Sequence, residues 1–504
     1  MAELSVGART DWSVHKFGGT SIADATCMAR VADILSRRGG GRRAIVLSAA
    51  RGVTDSLYAL LAEAERGHDG NEARGLALLR ERHAEAAGAL LDDGAARAFI
   101  DEIDGDLRDI QNVLRTVRLT RSASRNVSDL VAGYGEIWST RLFARYFLQV
   151  SSRPSRWIDA RRAIVVEWGP LGPNIDWAAS RAAVEDLKLA GFEGDLIITG
   201  FIASTRAGAQ TTLGRNGSDL SASIFGALLR AAEICIWSDV DGVLSADPKR
   251  VPEAKVIDQL SYDEAMELAY FGAKVLHPQT MGPAIADRIP IRILNTFAPD
   301  GPGTLICAEP LSKQPVKGIT SIERLALGNL EGAGMIGVPG TAHRLFGALR
   351  EAGISVTLIS QGSSEHSICC AVPEDQEELA AAAARDAFDR EMKGGQIQDV
   401  AVDRGLAILA VVGDGMAGAP GVAASVFSAL GRAGVNVRAI AQGSSERNMS
   451  AVVDGKDVTR ALRAVHSGFY LSPNTLSIGL IGPGTVGAAL LDQLASQAPR
   501  LRAQ

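Results

Sequence analysis

Over the first fifty residues, short apolar runs are separated by glycine and hydroxyl residues. Val14-His15-Lys16-Phe17 runs into Gly18-Gly19-Thr20-Ser21, a helical stretch follows, and a second apolar run at residues 44–47 ends in Ser48-Ala49-Ala50. This pattern predicts strand, glycine turn, helix and strand, a β-α-β unit. Residues 55–118 are rich in Ala, Leu, Glu and Arg with few breakers, which predicts a long helical region. From about 131 to 310, runs such as Leu196-Ile197-Ile198-Thr199-Gly200 and Ile234-Cys235-Ile236-Trp237 alternate with helical stretches. That alternation extends a largely parallel sheet, whose ligands gather at the strand C-terminal ends.

An internal repeat follows between about 316 and 470. Gly334-Met335-x-Gly337-x-Pro339-Gly340 opens one copy and Gly415-Met416-x-Gly418-x-Pro420-Gly421 the other. Each closes on the same polar turn, Gln361-Gly362-Ser363-Ser364-Glu365 and Gln442-Gly443-Ser444-Ser445-Glu446, at an offset of 81 residues (442 − 361 = 81). Each copy predicts a β-α-β-β-α sandwich with proline near a helix start. The shared turn is either purely structural or one half of a paired small-ligand site. Beyond it, an apolar strand at residues 476–481 leads into Gly482-Pro483-Gly484-Thr485-Val486-Gly487 and a helix, the opening of a dinucleotide-binding unit. The acidic residue expected about 20 positions past the glycines and the rest of a sheet do not fit before Gln504, so these residues are expected to be the stub of a further domain without a working cofactor site.

With 504 residues, 46% of them apolar and 22% charged, the chain builds two to four full cores. Aromatics are only 5%, which suits α/β layers better than an aromatic binding surface. A net charge of −6 gives no general attraction to nucleic acid or to anionic membranes. Cys27, Cys235, Cys307, Cys369 and Cys370 are scattered without zinc-site or disulfide spacing. No apolar run approaches the roughly 20 residues that span a bilayer, and no signal-peptide pattern opens the chain. A soluble, cytoplasmic protein is expected.

Five segments carry candidate chemistry. In Lys16-Phe17-Gly18-Gly19-Thr20-Ser21 the glycines aim N–H groups at an anion while Lys16 neutralises a phosphoryl group. Its lysine precedes the glycines, unlike a Walker A loop, and no Gly-x-Gly-x-x-Gly stands ahead of a separate lysine strand as in protein kinases. An ordinary strand-to-helix turn with a surface lysine reads the pattern equally well. Gly133-Tyr134-Gly135-Glu136 opens a helix, where Glu136 either receives an ammonium group or favours the helix dipole. Leu213-Gly214-Arg215-Asn216-Gly217-Ser218-Asp219 offers an arginine suited to a carboxylate, and an aspartate that is a ligand or a helix cap. Ser238-Asp239-Val240-Asp241-Gly242-Val243, continued by Asp247-Pro248-Lys249, follows an apolar strand. Phe271-Gly272-Ala273-Lys274-Val275-Leu276-His277-Pro278 sets Lys274 beside small residues, with His277 as a packing or turn residue.

In this order and spacing, Lys-Phe-Gly-Gly-Thr-Ser, Leu-Gly-Arg-Asn-Gly-Ser-Asp, Asp-Val-Asp-Gly-Val and Phe-Gly-Ala-Lys-Val-Leu-His-Pro resemble the aspartokinases of the amino acid kinase family. The repeat resembles their tandem ACT regulatory domains, and the tail resembles the start of the homoserine dehydrogenase part of bifunctional members. The resemblance implies an α/β fold: an amino acid kinase-like three-layer sandwich with a mostly parallel sheet, followed by two ferredoxin-like ACT domains. It divides the chain into a catalytic part (13–310), ACT domains (316–400 and 401–472) and a truncated Rossmann start (473–504).

The implied reaction is ATP-dependent phosphorylation of the L-aspartate β-carboxylate, with Mg2+ accompanying ATP and no dedicated metal ligands. By match to the family motif, Lys16 stabilises the transferring phosphoryl group with Gly18 and Gly19 as donors, and Asp219 orients the lysine. Arg215 holds the α-carboxylate of aspartate and Glu136 its ammonium, with Ser48, Thr54 and Ser218 framing the substrate. Ser238, Asp239, Lys249 and Lys274 serve the nucleotide. Leu244 and Lys249 stand where relatives commonly carry tyrosine and arginine, which predicts ATP binding that is either weakened or reorganised. L-Threonine is the expected inhibitor, near Gln361 and Gln442, in a homodimer or homotetramer. A monofunctional lysine-regulated aspartokinase and a catalytically silent ACT sensor are the competing readings.

Overall fold

The structure is a computed structural model and describes residues 10–67, 71–169, 172–272, 277–312, 314–470, 482 and 484–502. Strand β1 (Ser13–Phe17), helix α1 (Ala25–Arg37) and strand β2 (Arg43–Leu47) form the β-α-β opening, with β1 and β2 parallel from Ser13 opposite Arg43 to Phe17 opposite Leu47. Helix α1 begins where the Asp24 side chain accepts from the Cys27 N–H, and it buries Cys27, Met28, Val31, Ala32, Ile34 and Leu35 along one stripe. The helical region is longer than the sequence predicts, because α2 (Val53–Arg66), α3 (Asn71–Leu90), α4 (Asp93–Thr120), α5 (Arg125–Ala132) and α6 (Tyr134–Val150) follow without an intervening strand.

Next come β3 (Ser155–Ile158), β4 (Val166–Gly169), β5 (Gly172–Ile175), α7 (Trp177–Asp186), β6 (Asp195–Thr199), β7 (Ile202–Ser204), β8 (Gln210–Thr212), α8 (Gly217–Leu229) and β9 (Glu233–Ser238). After them, β10 (Gln259–Ser261), α9 (Tyr262–Tyr270), α10 (Pro278–Ala286), β11 (Ile291–Asn295) and β12 (Thr304–Cys307) complete an eight-stranded sheet of order β10-β12-β11-β9-β1-β2-β6-β3. Only the β11–β12 pair is antiparallel. Both faces are covered, which explains the continuous apolar runs. Val14, Val46, Ile198 and Ile234 pack with Leu220 and Ile224 of α8 on one side. Phe17, Ile45, Ile197 and Cys235 pack with α1 and the long helices on the other. The result is a three-layer α/β sandwich. The C-terminal ends of β1, β2, β6 and β9 lie together on one edge.

The repeat folds as β13 (Gly318–Glu331), α11 (Thr341–Glu351), β14 (Leu358–Gln361), β15 (Ser367–Pro373), α12 (Glu377–Ala387) and α13 (Asp389–Lys393), then β16 (Asp399–Val412), α14 (Val422–Arg432), β17 (Val437–Gln442), β18 (Asn448–Asp454) and α15 (Val458–Tyr470). The 81-residue offset recurs in the strands, from Gly318 to Asp399 and from Ser367 to Asn448. The copies share one antiparallel sheet, β14-β15-β13-β16-β18-β17, because the long strands β13 and β16 pair from Gly318 opposite Val412 to Glu331 opposite Asp399. Its edges approach each other where the Ser360 hydroxyl donates to the Ile440 carbonyl at 3.0 Å. The enclosed face buries Leu325, Leu327, Leu358, Leu406, Ile408 and Val452, with Phe271 of the first half packed among them. The outer faces pack under the helices. Adjacent Cys369 and Cys370 point to opposite faces, Cys370 under the helices and Cys369 toward the enclosed side.

The apolar run at 476–481 lies outside the described residues, while α16 (Thr485–Arg502) follows the second glycine cluster. No described helix is long and apolar enough to cross a membrane.

Candidate active site

Lys16 is the penultimate residue of β1, so the strand delivers its ammonium to the sheet edge where the turns gather. There Lys16 Nζ lies 2.6 Å from Asp219 Oδ1, with both side chains largely screened from solvent. Asp219 is not the cap of α8. Asn216, at φ 56°, holds the cap position, and Asp219 stands in the first turn facing the lysine. A carboxylate held this way fixes the Nζ position without consuming all three of its donors.

Two glycines in the opening turn have different reasons to be there. A Cβ on Gly19 would sit 2.8 Å from the Ala49 carbonyl oxygen, so only glycine lets the loops after β1 and β2 touch. The Arg51 N–H donates to the Gly19 carbonyl and seals that contact. At Gly18 a Cβ would stand 3.5 Å from Lys16 Nζ, an ordinary contact that would crowd an anion approaching the lysine.

Next to this pair opens a cavity of about 670 Å³ lined by Lys16, Gly18, Gly19, Ser48, Thr54, Glu136, Arg215, Ser218 and Asp219. Every residue expected to bind the amino acid therefore shares one space with Lys16. Ser48 is held by its N–H on the Phe17 carbonyl and by the Ser139 hydroxyl on its own carbonyl. Thr54 stands in the first turn of α2, and Ser218 in that of α8. Arg215 is exposed, its guanidinium available to a ligand.

Glu136 is the telling member. It is only 3% exposed, and its Oε2 has no hydrogen-bond partner. Burial pushes its carboxyl up to about 8, against the opposing pull of the Ala49 and Glu136 backbone N–H groups. A helix-dipole role alone would not require burial. With one oxygen unpartnered and the group lining a polar cavity, Glu136 is suited to meet a cation. Beneath the site His15 is held neutral: burial, then Arg43 and Arg38, keep its imidazole down at about 3 while Trp237 Nε1 donates to Nδ1.

A second cavity, of about 420 Å³, opens past the end of β9 and is lined by Ser238, Asp239, Leu244 and Lys249. The Ser238 hydroxyl donates to Asp239 Oδ1 at 3.2 Å, and Lys249 is exposed. Lys274 lies outside the described residues. Sequence reasoning missed that Ile319 and Thr320 of β13 form part of this wall, so the repeat half contributes to the cavity. The loop at 244–251 is embedded in the second copy: Ala246 and Val251 belong to its apolar core. The Ser245 hydroxyl pairs with His466 Nε2 of α15 at 2.9 Å, and Arg250 donates to Thr459 Oγ1. No sequence signal pointed to these contacts, since they join positions more than two hundred residues apart. Arg51, Tyr58, Phe201 and Thr212, also missed, line the first cavity. Arg51 was the findable one, directly following Ser48-Ala49-Ala50.

Gln361 and Gln442 end the edge strands β14 and β17 and are exposed. Part of the shared turn has a structural reason. Glu365 Oε2 accepts from the Gly337 N–H at 2.8 Å and Glu446 Oε2 from the Gly418 N–H at 2.7 Å, so each turn is pinned to the loop opening its own helix. His277 stands at the cap position of α10, its carbonyl accepting from the Thr280 N–H and hydroxyl. Among the described residues no group of three or more His, Cys, Asp or Glu is arranged to hold a metal ion.

Residues 11–295 match the amino acid kinase family, and residues 329–388 and 409–469 match the ACT domain. The chain is 43% identical over 500 residues to bifunctional aspartokinase/homoserine dehydrogenase 2, chloroplastic, of Arabidopsis thaliana, a match covering 97% of this chain and 54% of that protein. It thus spans about half the length of this relative. Lysine-sensitive aspartokinase 3 of Escherichia coli is 32% identical over 462 residues, covering 91% of this chain and 99% of that protein. The crystal structure of E. coli aspartokinase III in complex with aspartate and ADP (R-state) superposes with a TM-score of 0.73 at 30% identity, covering 91% of this chain and all of that one.

Proposed function

Because the chain belongs to the aspartokinase branch of the amino acid kinase family, we propose that it transfers the γ-phosphoryl group of ATP to the β-carboxylate of L-aspartate, giving ADP and 4-phospho-L-aspartate. The observation that carries this reading is the buried Glu136 carboxyl, its Oε2 without a hydrogen-bond partner, sharing one cavity with Arg215 and the Lys16–Asp219 pair. The cavity offers a carboxyl that ionises against an ammonium, a guanidinium for a carboxylate and a second cation for a phosphoryl group, which are the needs of an acidic amino acid being phosphorylated.

The chemistry asks little covalent work of the protein. The attacking carboxylate is already ionised at neutral pH, so no strong base is required. A β-carboxylate oxygen forms the new bond to phosphorus while the bond to the ADP oxygen breaks. Lys16, fixed by Asp219, neutralises charge on the transferring group, and the N–H groups of Gly18 and Gly19 support it. Arg215 and Glu136 hold the α-carboxylate and α-ammonium, while Ser48, Thr54 and Ser218 frame the side chain. Ser238, Asp239, Lys249 and Lys274 attend the nucleotide. The donor set fits magnesium that arrives on ATP: Asp239 faces the nucleotide cavity, and Asp219 is engaged by Lys16. Such an ion, held mostly by phosphate oxygens and water, supplies charge neutralisation of the phosphates.

We take residues 13–310 as the kinase part, 316–400 and 401–472 as the ACT pair and 473–504 as the start of a Rossmann unit. The ACT pair is the sensor of a feedback inhibitor, L-threonine, acting near Gln361 or Gln442 in a homodimer or homotetramer. A ligand there changes turnover only by favouring the less active arrangement. A coupled ADP-release assay with aspartate and Mg-ATP, run with threonine or lysine, tests the proposal. Aspartate-dependent turnover inhibited by threonine supports it. Inhibition by lysine alone refutes the threonine assignment, and threonine binding without turnover leaves a silent sensor.

A further inference from the structure

Asp129 stands outside the cavity and is 5% exposed, on α5, seven residues ahead of Glu136. Its carboxylate is fully engaged by β8. The Thr211 hydroxyl donates to Oδ2 at 2.8 Å, the Thr212 N–H to Oδ2 at 3.2 Å and the Thr212 hydroxyl to Oδ1 at 3.0 Å. Strand β8 ends at Thr212, three residues before Arg215. One carboxylate therefore ties the helix leading to the ammonium receptor to the strand leading to the carboxylate receptor.

The surrounding contacts close a circuit around that tie. Trp168 Nε1 donates to Thr211 Oγ1 at 2.9 Å. The Arg125 guanidinium lies over the Trp168 ring at 3.1 Å and reaches within 3.7 Å of Asp129 Oδ2. Trp168 also abuts Gly214, where a Cβ would stand 3.5 Å from its ring. Gln210 Nε2 donates to the Asp129 and Leu130 carbonyls, and a Cβ on Gly133 would collide with that amide at 2.3 Å. The segment joining Asp129 to Glu136 is thus pressed onto the hairpin that leads to Arg215.

We propose that Asp129 is a positioning residue for amino-acid recognition: it sets the separation between Glu136 and Arg215, and so selects a substrate whose ammonium and α-carboxylate match that span. It touches neither substrate nor nucleotide. This inference rests on the aspartate kinase reading. A charged acceptor taking several hydrogen bonds from one strand holds that strand more firmly than packing alone. An asparagine in its place presents an NH2 group to donors and loosens the tie.

Steady-state kinetics of the intact chain provide the test, with Asp129→Asn and Thr211→Val compared with wild type. Wild-type turnover with aspartate is the control for the underlying reading; its absence refutes that reading whatever the variants do. Given turnover, Asp129→Asn is expected to raise the KM for aspartate about tenfold and Thr211→Val about threefold, with the KM for ATP within about twofold and kcat within about threefold of wild type. Calorimetric titration with aspartate and with ADP should show the same split. If Asp129→Asn does not fold, by circular dichroism, Thr211→Val decides alone. Aspartate KM values unchanged in every folded variant, or rising in step with those for ATP, would overturn the proposal.

Discussion

Glu136→Gln offers a quantitative prediction, because the substitution removes the capacity to ionise and nearly nothing else. Burial holds the carboxyl at about 8, so in the unliganded protein at pH 7 only about one molecule in eleven carries the anion that an ammonium needs. Substrate binding must first remove the proton. Between pH 6 and pH 8 the ionised fraction rises from about one in a hundred to one in two, and the apparent KM for aspartate should fall about fiftyfold. In Glu136→Gln the KM should be higher throughout and flat across that window. Stability provides a second readout with a definite sign. The ordinary value of 4.5 applies to the unfolded chain, and the folded chain holds the extra proton between 4.5 and about 8. Wild-type stability therefore declines as pH rises through that window, by an amount bounded at roughly 5 kcal/mol, and the glutamine variant lacks the decline. Initial rates with buffered Mg-ATP, and denaturant titrations at the same pH values, measure both. An aspartate KM independent of pH in wild type, or the same slope in the variant, would refute the assignment of Glu136 as the ammonium receptor.

Gly19→Ala pushes a Cβ to 2.8 Å from the Ala49 carbonyl, backbone against backbone, and should cost about 1–3 kcal/mol in a denaturant titration together with a fall in kcat. Retention of both would show that the two turns part without consequence. His466→Ala removes the bond to Ser245 and should raise the KM for ATP about fivefold, the kinetic equivalent of one hydrogen bond of about 1 kcal/mol, leaving the KM for aspartate unchanged. An aspartate effect instead would mean that the loop at 244–251 does not serve the nucleotide. Chelation by EDTA should abolish turnover and added magnesium restore it without changing the far-ultraviolet circular dichroism, since no described carboxylate cage depends on a metal for folding.

The alternation of strand and helix was legible in the sequence because both faces of the large sheet are covered, leaving strands such as Ile234-Cys235-Ile236-Trp237 apolar throughout. The site motifs were legible for a related reason. Lys16 lies one residue before the end of β1, while Ser48, Gly200 and Ser238 end or follow the neighbouring parallel strands, and their register sets them on one edge. The 81-residue repeat announced two equal units, yet its copies share β13 and β16 in a single sheet, since periodicity records similarity and not pairing. Thr320, Ser245 and His466 escaped notice because their contacts arise only where the repeat half packs against the loop at 244–251 and the cavity beside it. Asp129 looked like any helical aspartate until the threonines of β8 were seen around it.

The most direct test of the account is formation of the acyl phosphate itself. Wild type and Lys16→Ala would be incubated with L-aspartate and Mg-ATP, the product trapped with hydroxylamine and ADP measured in parallel. The account predicts that wild type releases hydroxamate and ADP one for one, only when aspartate is present, and that Lys16→Ala is slower by two orders of magnitude or more, on the order of 3 kcal/mol of barrier. No aspartate-dependent hydroxamate from wild type, or an undiminished rate in the variant, would contradict it.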